Sequence, residues 1–461
     1  MLKIKEDLLE SMLDKAIHSI QSSNIKLVSY TKQLDDINPL SFFEAAKSIR
    51  GNRSFWKSSV DDFYMVGVGA AFEIETEQPD ILYIENKWQT ILEDAMIHNP
   101  YQVPGTGIVA LGGMAFDPYK KSTDLWKNYN ASQFTIPEFT LTKHNGNFYF
   151  TSIVRVNKND HAKQLLHQLK GKEKELLSPL EDWPEKVSVV SKEEIKPEQW
   201  KQTVQKATEE IKKCNAEKIV LAREIRLQLS NQAEVSNVLE QLIDTQPTSY
   251  IFAFEHGEDC FIGATPERLV KLEGRELLST CLAGTAPRGM TEEEDQKYKF
   301  SLLQDQKNRE EHDFVVQMIK HAMEEYCENI DIPNEPVILA LTNLQHLYTP
   351  VRATLKEGYS ILNIIDNLHP TPALGGTPRK ESLEFIRHYE QLDRGWYGAP
   401  IGWLDSNENG EFAVAIRSGL IQGNRATLFA GCGIVEDSNP EAEYEETNIK
   451  FLPMLSVLGG L

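Results

Sequence analysis

Apolar residues recur along this chain with two different periods. Where every second residue is apolar the pattern predicts strands; where they fall at i, i+3, i+4 and i+7 it predicts helices. The N-terminal run "MLKIKEDLLESMLDKAIHSI" reads as a charged amphipathic helix and not as a secretory leader. "FTLTKHNGNFYFTSIVRV" alternates on both sides of Asn145-Gly146, the pair that a type I′ turn requires, and so predicts a hairpin. The polar stretch "LSPLEDWPEKVSVVSKEEIKPEQW" then follows, either as a domain linker or as a surface connection. Residues 1–190 are expected to form a β-rich N-terminal part, and 191–461 the catalytic region of the same fold.

The second part has the sharper pattern. Pro197 opens a predicted helix with Trp200, Val204, Ala207 and Ile211 on one face. "EKIVLAREIRLQL" predicts a strand, and "SYIFAFEHGEDCFIGATPERLVKLEGRELLSTCLAGT" predicts several strands joined at glycine turns. One long helix is expected from about Glu292 to Glu328, with Val315, Met318, Ile319, Ala322 and Tyr326 as its apolar stripe. Strands in both halves without a regular strand–helix–strand alternation predict an α+β fold.

Composition narrows the function. The 461 residues carry 69 acids against 48 bases, a net charge of −21, which argues against nucleic acid and against anionic membranes as partners. No apolar run approaches membrane-spanning length. The five cysteines are scattered with no CxxC, which suggests reduced thiols and a cytoplasmic protein. An acidic protein that binds an anion needs a locally built cationic site.

Several charged residues stand where apolar ones are expected. In "NPEAEYEETNIK", Asn439 is a natural N-cap and Pro440 a natural first helical residue. Glu443, Glu446 and Lys450 then share one helix face, and Glu441 and Glu445 another. The bland reading is a solvated acidic first turn. Glu311 is expected on the apolar stripe of its helix, where a carboxylate is costly unless paired or metal-bound. Oxygen ligands from separate helices suit a hard cation such as Mg²⁺, with an ordinary salt bridge as the rival. Lys218 alternates with Val220 and Ala222; on a partly buried face its amine loses solvation and approaches a general base, whereas at a strand end it snorkels to water. Burial of Glu267, after Pro266, would make it a general acid; pairing with Arg268 is the alternative.

"EKIVLAR", "GATPERL", "LAGT", "REEH", "LHPTPALGGTPR", "GWYGAPIGW", "AIRSGL", "FAGCGIV" and "EYEETNIK" occur in one order between Pro197 and Leu461. Together they resemble the chorismate-utilising enzymes, and within them the isochorismate synthases; the first ~190 residues match only loosely. The resemblance implies one large α+β domain, with two sheets sandwiching the site and helices outside. It implies Lys218 as the base that activates water at ring C2 and Glu267 as the acid on the C4 hydroxyl. It implies Glu311 and Glu446 as Mg²⁺ ligands, with Glu443 reaching the metal through water. Arg417 and Lys450 are implied as the grip on the other carboxylate, with Gly431 close by. Gly284, Thr285, His346, Ala373 and Leu374 are implied around the substrate, although for His346 a satisfied core histidine is an equal reading.

Ala283 stands where aminodeoxychorismate formers carry a nucleophilic lysine, which leaves room for water or ammonia. The chain has no fused glutaminase domain, and a monomer without a glutaminase subunit is expected. The implied reaction is chorismate to isochorismate, with the menaquinone branch favoured. Salicylate or anthranilate formation on the same fold, or supply of a catechol siderophore, are the alternatives.

Overall fold

The computed structural model describes residues 2–21, 25–49, 52–59, 61–77, 80–178, 185–340 and 344–460. The fold is α+β, built on two large and mostly antiparallel sheets. Strands from both halves of the chain enter both sheets. In the first, Tyr250–His256 pairs with Arg53–Lys57; in the second, Pro400–Asp405 pairs with Val109–Met114. An aromatic core joins them, with Phe252, Phe261 and Phe429 from the first sheet meeting Leu111, Ile401 and Trp403 from the second. Part of the polar connection, 179–184, lies outside the described residues; its end forms the strand Val189–Glu194, which pairs with Lys218–Leu229. No helix among the described residues is long and apolar enough to cross a membrane.

The local expectations are largely met. The predicted hairpin forms from Phe139–His144 and Asn147–Val156, and Asn145 and Gly146 both take positive φ, 49° and 76°. The helix Pro197–Lys212 buries Trp200, Val204, Ala207 and Ile211. Its Trp200 indole donates to the Ala222 carbonyl at 3.0 Å, which fastens the helix to the Lys218 strand. The C-terminal helix Pro440–Val457 is capped by Asn439, whose side chain accepts from the Glu441 and Ala442 amides. It packs on the strand Arg425–Ile434 beside the Lys218 strand. Arg223 of that strand lies 3.8 Å from the Tyr444 ring and donates to Thr447 at 2.6 Å.

The expected single long helix is two. Glu292–Gln304 ends before Asp305, and Asp305 caps a second helix, Gln306–Glu324, by accepting from the Asn308 amide at 2.7 Å. A capping carboxylate competes for backbone donors that a continuous helix would use internally. The buried stripe is also rotated from the expected one. It runs through His312, Val316, Ile319, Ala322 and Met323; Val315 and Met318 are half-buried, and Tyr326 lies beyond the helix. Glu311 is therefore off the apolar stripe, with 44% of its side chain exposed, and is not the buried carboxylate that its spacing suggested.

A short segment closes on the end of the Lys218 strand. Gly376 and Thr377 pair with Ile219 and Lys218, and the Thr377 carbonyl accepts from the Glu217 amide at 2.7 Å. A Cβ at Gly376 would lie 2.2 Å from the Lys218 carbonyl oxygen, and φ there is +114°, so only glycine fits. Gly376→Ala is expected to cost about 1–3 kcal/mol, the usual cost of such backbone strain, read as a lower urea midpoint.

Candidate active site

Two chain crossings define the site. Glu267 lies where the chain leaves the strand Asp259–Thr265 of the first sheet for Arg268–Glu273 of the second. Arg417 lies where it returns, between Gly410–Val414 and Ser418–Gln422. The crossings bond to each other: the Val414 amide donates to the Glu267 carbonyl at 3.0 Å, and the Ala264 amide to the Arg417 carbonyl at 3.1 Å. Arg417 takes φ +51°, a left-handed conformation uncommon outside glycine and asparagine, at the crossing itself.

The crossings bring the expected acid and base together. Glu267 keeps part of its surface open, yet burial lifts its carboxyl to about 7 against the opposing pull of Lys218 and Arg417. It does not pair with Arg268, which bonds Glu411 and Tyr250 instead. Lys218 is three-quarters buried and holds the Glu311 carboxylate at 2.8 Å. Arg417 is desolvated, which lowers its pKa against the attraction of Tyr397, Glu446 and Glu267. No described side chain accepts a hydrogen bond from its guanidinium, which leaves those donors for a ligand.

On the C-terminal helix Lys450 holds Glu446 at 2.6 Å and donates to the Gly431 carbonyl at 2.8 Å. Glu443 accepts from Ser438 at 2.7 Å, and Glu441 pairs with Lys201 at 2.8 Å, away from this face. On the second sheet a bulge interrupts the pairing between Ala283 and Thr285, where Gly284 has φ +78°. The Thr285 hydroxyl is 2.9 Å from His346 Nδ1, and His346 feels the charge of Arg417. Leu374 packs beneath Gly398, and Ala373 is exposed on the segment that closes on Lys218.

The carboxylates fit a hard cation. Glu311 and Glu446 are both partly exposed, each with one oxygen on a lysine, and they stand on separate helices about the Arg417–Glu267–Lys218 row. No three His, Cys, Asp or Glu residues cluster tightly enough, among the described residues, to make a protein-only cage. A cation held by Glu311 and Glu446 would have to take its other ligands from water and an anionic ligand.

A family model described as chorismate binding enzyme matches residues 12–459. The chain belongs to the chorismate-binding enzymes. The match reaches far into the N-terminal half, where motif reading found little. "Isochorismate synthase MenF" of Bacillus subtilis is 40% identical over 96% of each chain. "Salicylate biosynthesis isochorismate synthase" of Pseudomonas aeruginosa is 34% identical over 94% of this chain and 91% of the relative. Among solved structures, the menaquinone-specific isochorismate synthase MenF from Escherichia coli shares the fold, with a TM-score of 0.80, 23% identity and coverage of 98% of this chain and 100% of that one.

Sequence reading missed three parts of this candidate site. Tyr397, inside the quoted "GWYGAPIGW", is buried beside Arg417 with its hydroxyl 3.3 Å from where a Cβ of Gly431 would stand. His312 of "REEH" is buried under the Ala283 bulge. Glu390 and Arg394 form a bidentate pair with only 1% and 2% exposure, bonded at 2.7 Å. Their i, i+4 spacing next to Trp396 was the available signal. Breaking a buried pair strands a charge, so Arg394→Met is expected to lower stability by about 3–5 kcal/mol in urea. Adding Glu390→Gln should cost much less than the sum of the two single changes.

Proposed function

We propose that this chain converts chorismate to isochorismate, with Mg²⁺ held by Glu311 and Glu446 and with Glu443 reaching the metal through water. The observation that carries the reading is the pairing of a carboxyl raised to about 7, at Glu267, with an amine at Lys218 and an unbonded guanidinium at Arg417. Acid, base and anion grip are the three groups that this isomerisation needs. The full-length similarity to the Bacillus subtilis isochorismate synthase supports the reading, and the menaquinone branch is the one we favour for this chain.

In this reading the unprotonated amine of Lys218 takes a proton from water as the water oxygen bonds to ring C2. The two ring double bonds shift along the ring, and the C4 hydroxyl leaves as water with the proton of Glu267. Arg417, Tyr397 and Lys450 hold the side-chain carboxylate, while the Gly284–Thr285 bulge and His346 line the ring. Mg²⁺ supplies positive charge against the ring carboxylate in a protein whose net charge is −21. Water is the nucleophile because Ala283 offers no amine. Since one hydroxyl replaces another, the reaction is near balance and reversible.

The direct test is product chromatography after incubation with chorismate and Mg²⁺, with and without ammonium. Isochorismate in both is expected; salicylate, or an amino product alone, overturns the reading. Glu267 donates only while protonated, so turnover should decline as pH rises through about 7. Glu267→Gln should lower turnover by roughly 10²–10⁴-fold and abolish that decline. Glu446→Gln should remove the mutual strengthening of chorismate and Mg²⁺ binding in calorimetry; metal affinity equal to wild type would remove Glu446 from the metal site.

A further inference from the structure

The bulge at Ala283 is held from two sides by histidines, and the mechanism above gives one of them no role. His312 is 3% exposed, and its Nδ1 lies 3.1 Å from the Ala283 carbonyl and its Nε2 2.7 Å from the Thr349 hydroxyl. A carbonyl only accepts, so Nδ1–H donates to Ala283; Nε2 then accepts from Thr349, and both ring nitrogens are used. Cys281 closes the contact, with its thiol 3.5 Å from Nδ1 and 3.6 Å from the His312 carbonyl. From the other side His346 bonds the next peptide, at Gly284, and the Thr285 hydroxyl.

His312 also directly follows Glu311, whose carboxylate holds Lys218 at 2.8 Å. One short length of helix therefore connects the wall at position 283 to the amine of Lys218. In the isochorismate reading the attacking water sits between these two groups.

We propose that His312 is a positioning residue for the nucleophile. It locks the Ala283 carbonyl against the helix that carries Glu311, and so sets the spacing from the 283 wall to Lys218 within which water attacks. This rests on the isochorismate reading. A shift of about 1 Å in such a spacing costs on the order of 10²-fold in rate. Water suffers more than ammonia, because water is too weak a nucleophile to attack unless Lys218 takes its proton as it does so, whereas neutral ammonia is nucleophilic enough to attack unassisted and sheds a proton afterwards.

The experiment measures kcat, KM and product ratio for chorismate with Mg²⁺ in ammonium buffer. There ammonia adds at C2 while the C4 hydroxyl leaves as water, in competition with water attack. His312→Leu should lower kcat by roughly 10–10²-fold with KM near wild type, and shift products toward the amine. His312→Asn, whose amide can donate to the same carbonyl, should recover most of both. Thr349→Val, which frees the far side of the ring, should shift the ratio the same way to a smaller degree, and it carries the test if His312→Leu fails to fold. A wild-type kcat and ratio in His312→Leu, or in Thr349→Val an unchanged ratio, overturns the proposal. So does an equal loss in the Leu and Asn variants with no change of ratio, which marks a purely structural histidine. Absence of isochorismate from the wild-type enzyme overturns the functional reading instead.

Discussion

The buried pair of Glu390 and Arg394 ties the first-sheet side of the site together. Glu390 accepts from the Ala222 amide at 2.7 Å, and Arg394 donates to the Val220 and Leu374 carbonyls at 2.8 and 2.9 Å. Those bonds join the Lys218 strand to the segment that closes on it. Arg394 also accepts the Tyr397 amide on its own carbonyl at 2.8 Å and lies 4.1 Å from the Phe116 ring. Two ions without water are costly unless nearly every donor and acceptor is used, and here nearly every one is. A hydrophobic pair of the same volume would fill the space but leave the strand carbonyls unpaired.

The second constraint is topological. A chain that crosses between two sheets has to turn through their gap, and residues at the turn face neither sheet's core. Glu267 and Arg417 occupy two such crossings, bonded backbone to backbone. This places a carboxyl and a guanidinium in one partly closed space, on two backbone-bonded crossings. Desolvation there raises the acid and leaves the cation eager for an anion. Loops longer than these crossings would not hold such groups to a fraction of an ångström.

Charge order across the site follows from the same arrangement. Lys450 with Glu446, then Arg417, Glu267, and Lys218 with Glu311 form a row of neighbouring charges of alternating sign, Glu267 being neutral when protonated. The acidic C-terminal turn, odd in isolation, contributes one end of that row. The row sets single cations among carboxylates within a protein whose overall charge is −21.

Much of this was legible in local pattern. The hairpin at Asn145-Gly146, the Pro197 helix, the Asn439 cap and the Glu443–Glu446–Lys450 face follow from periods and caps that depend on near neighbours alone. The same holds for the candidates Lys218 and Glu267, charged residues in apolar surroundings, whereas Arg417 was reached only through the family resemblance. The break at Asp305 was missed because the Asp305 side chain caps a new helix where apolar spacing alone suggests continuation, and with it the stripe on which Glu311 was placed. Nothing local shows that Arg394 reaches Val220 and Leu374, that His312 meets Ala283, or that Glu311 pairs with Lys218 across 93 residues. The sequence by itself determined most of the elements and several of the charged residues that stand out; only the tertiary structure decided which of them face one another, because those contacts depend on how distant segments pack and not on any period along the chain.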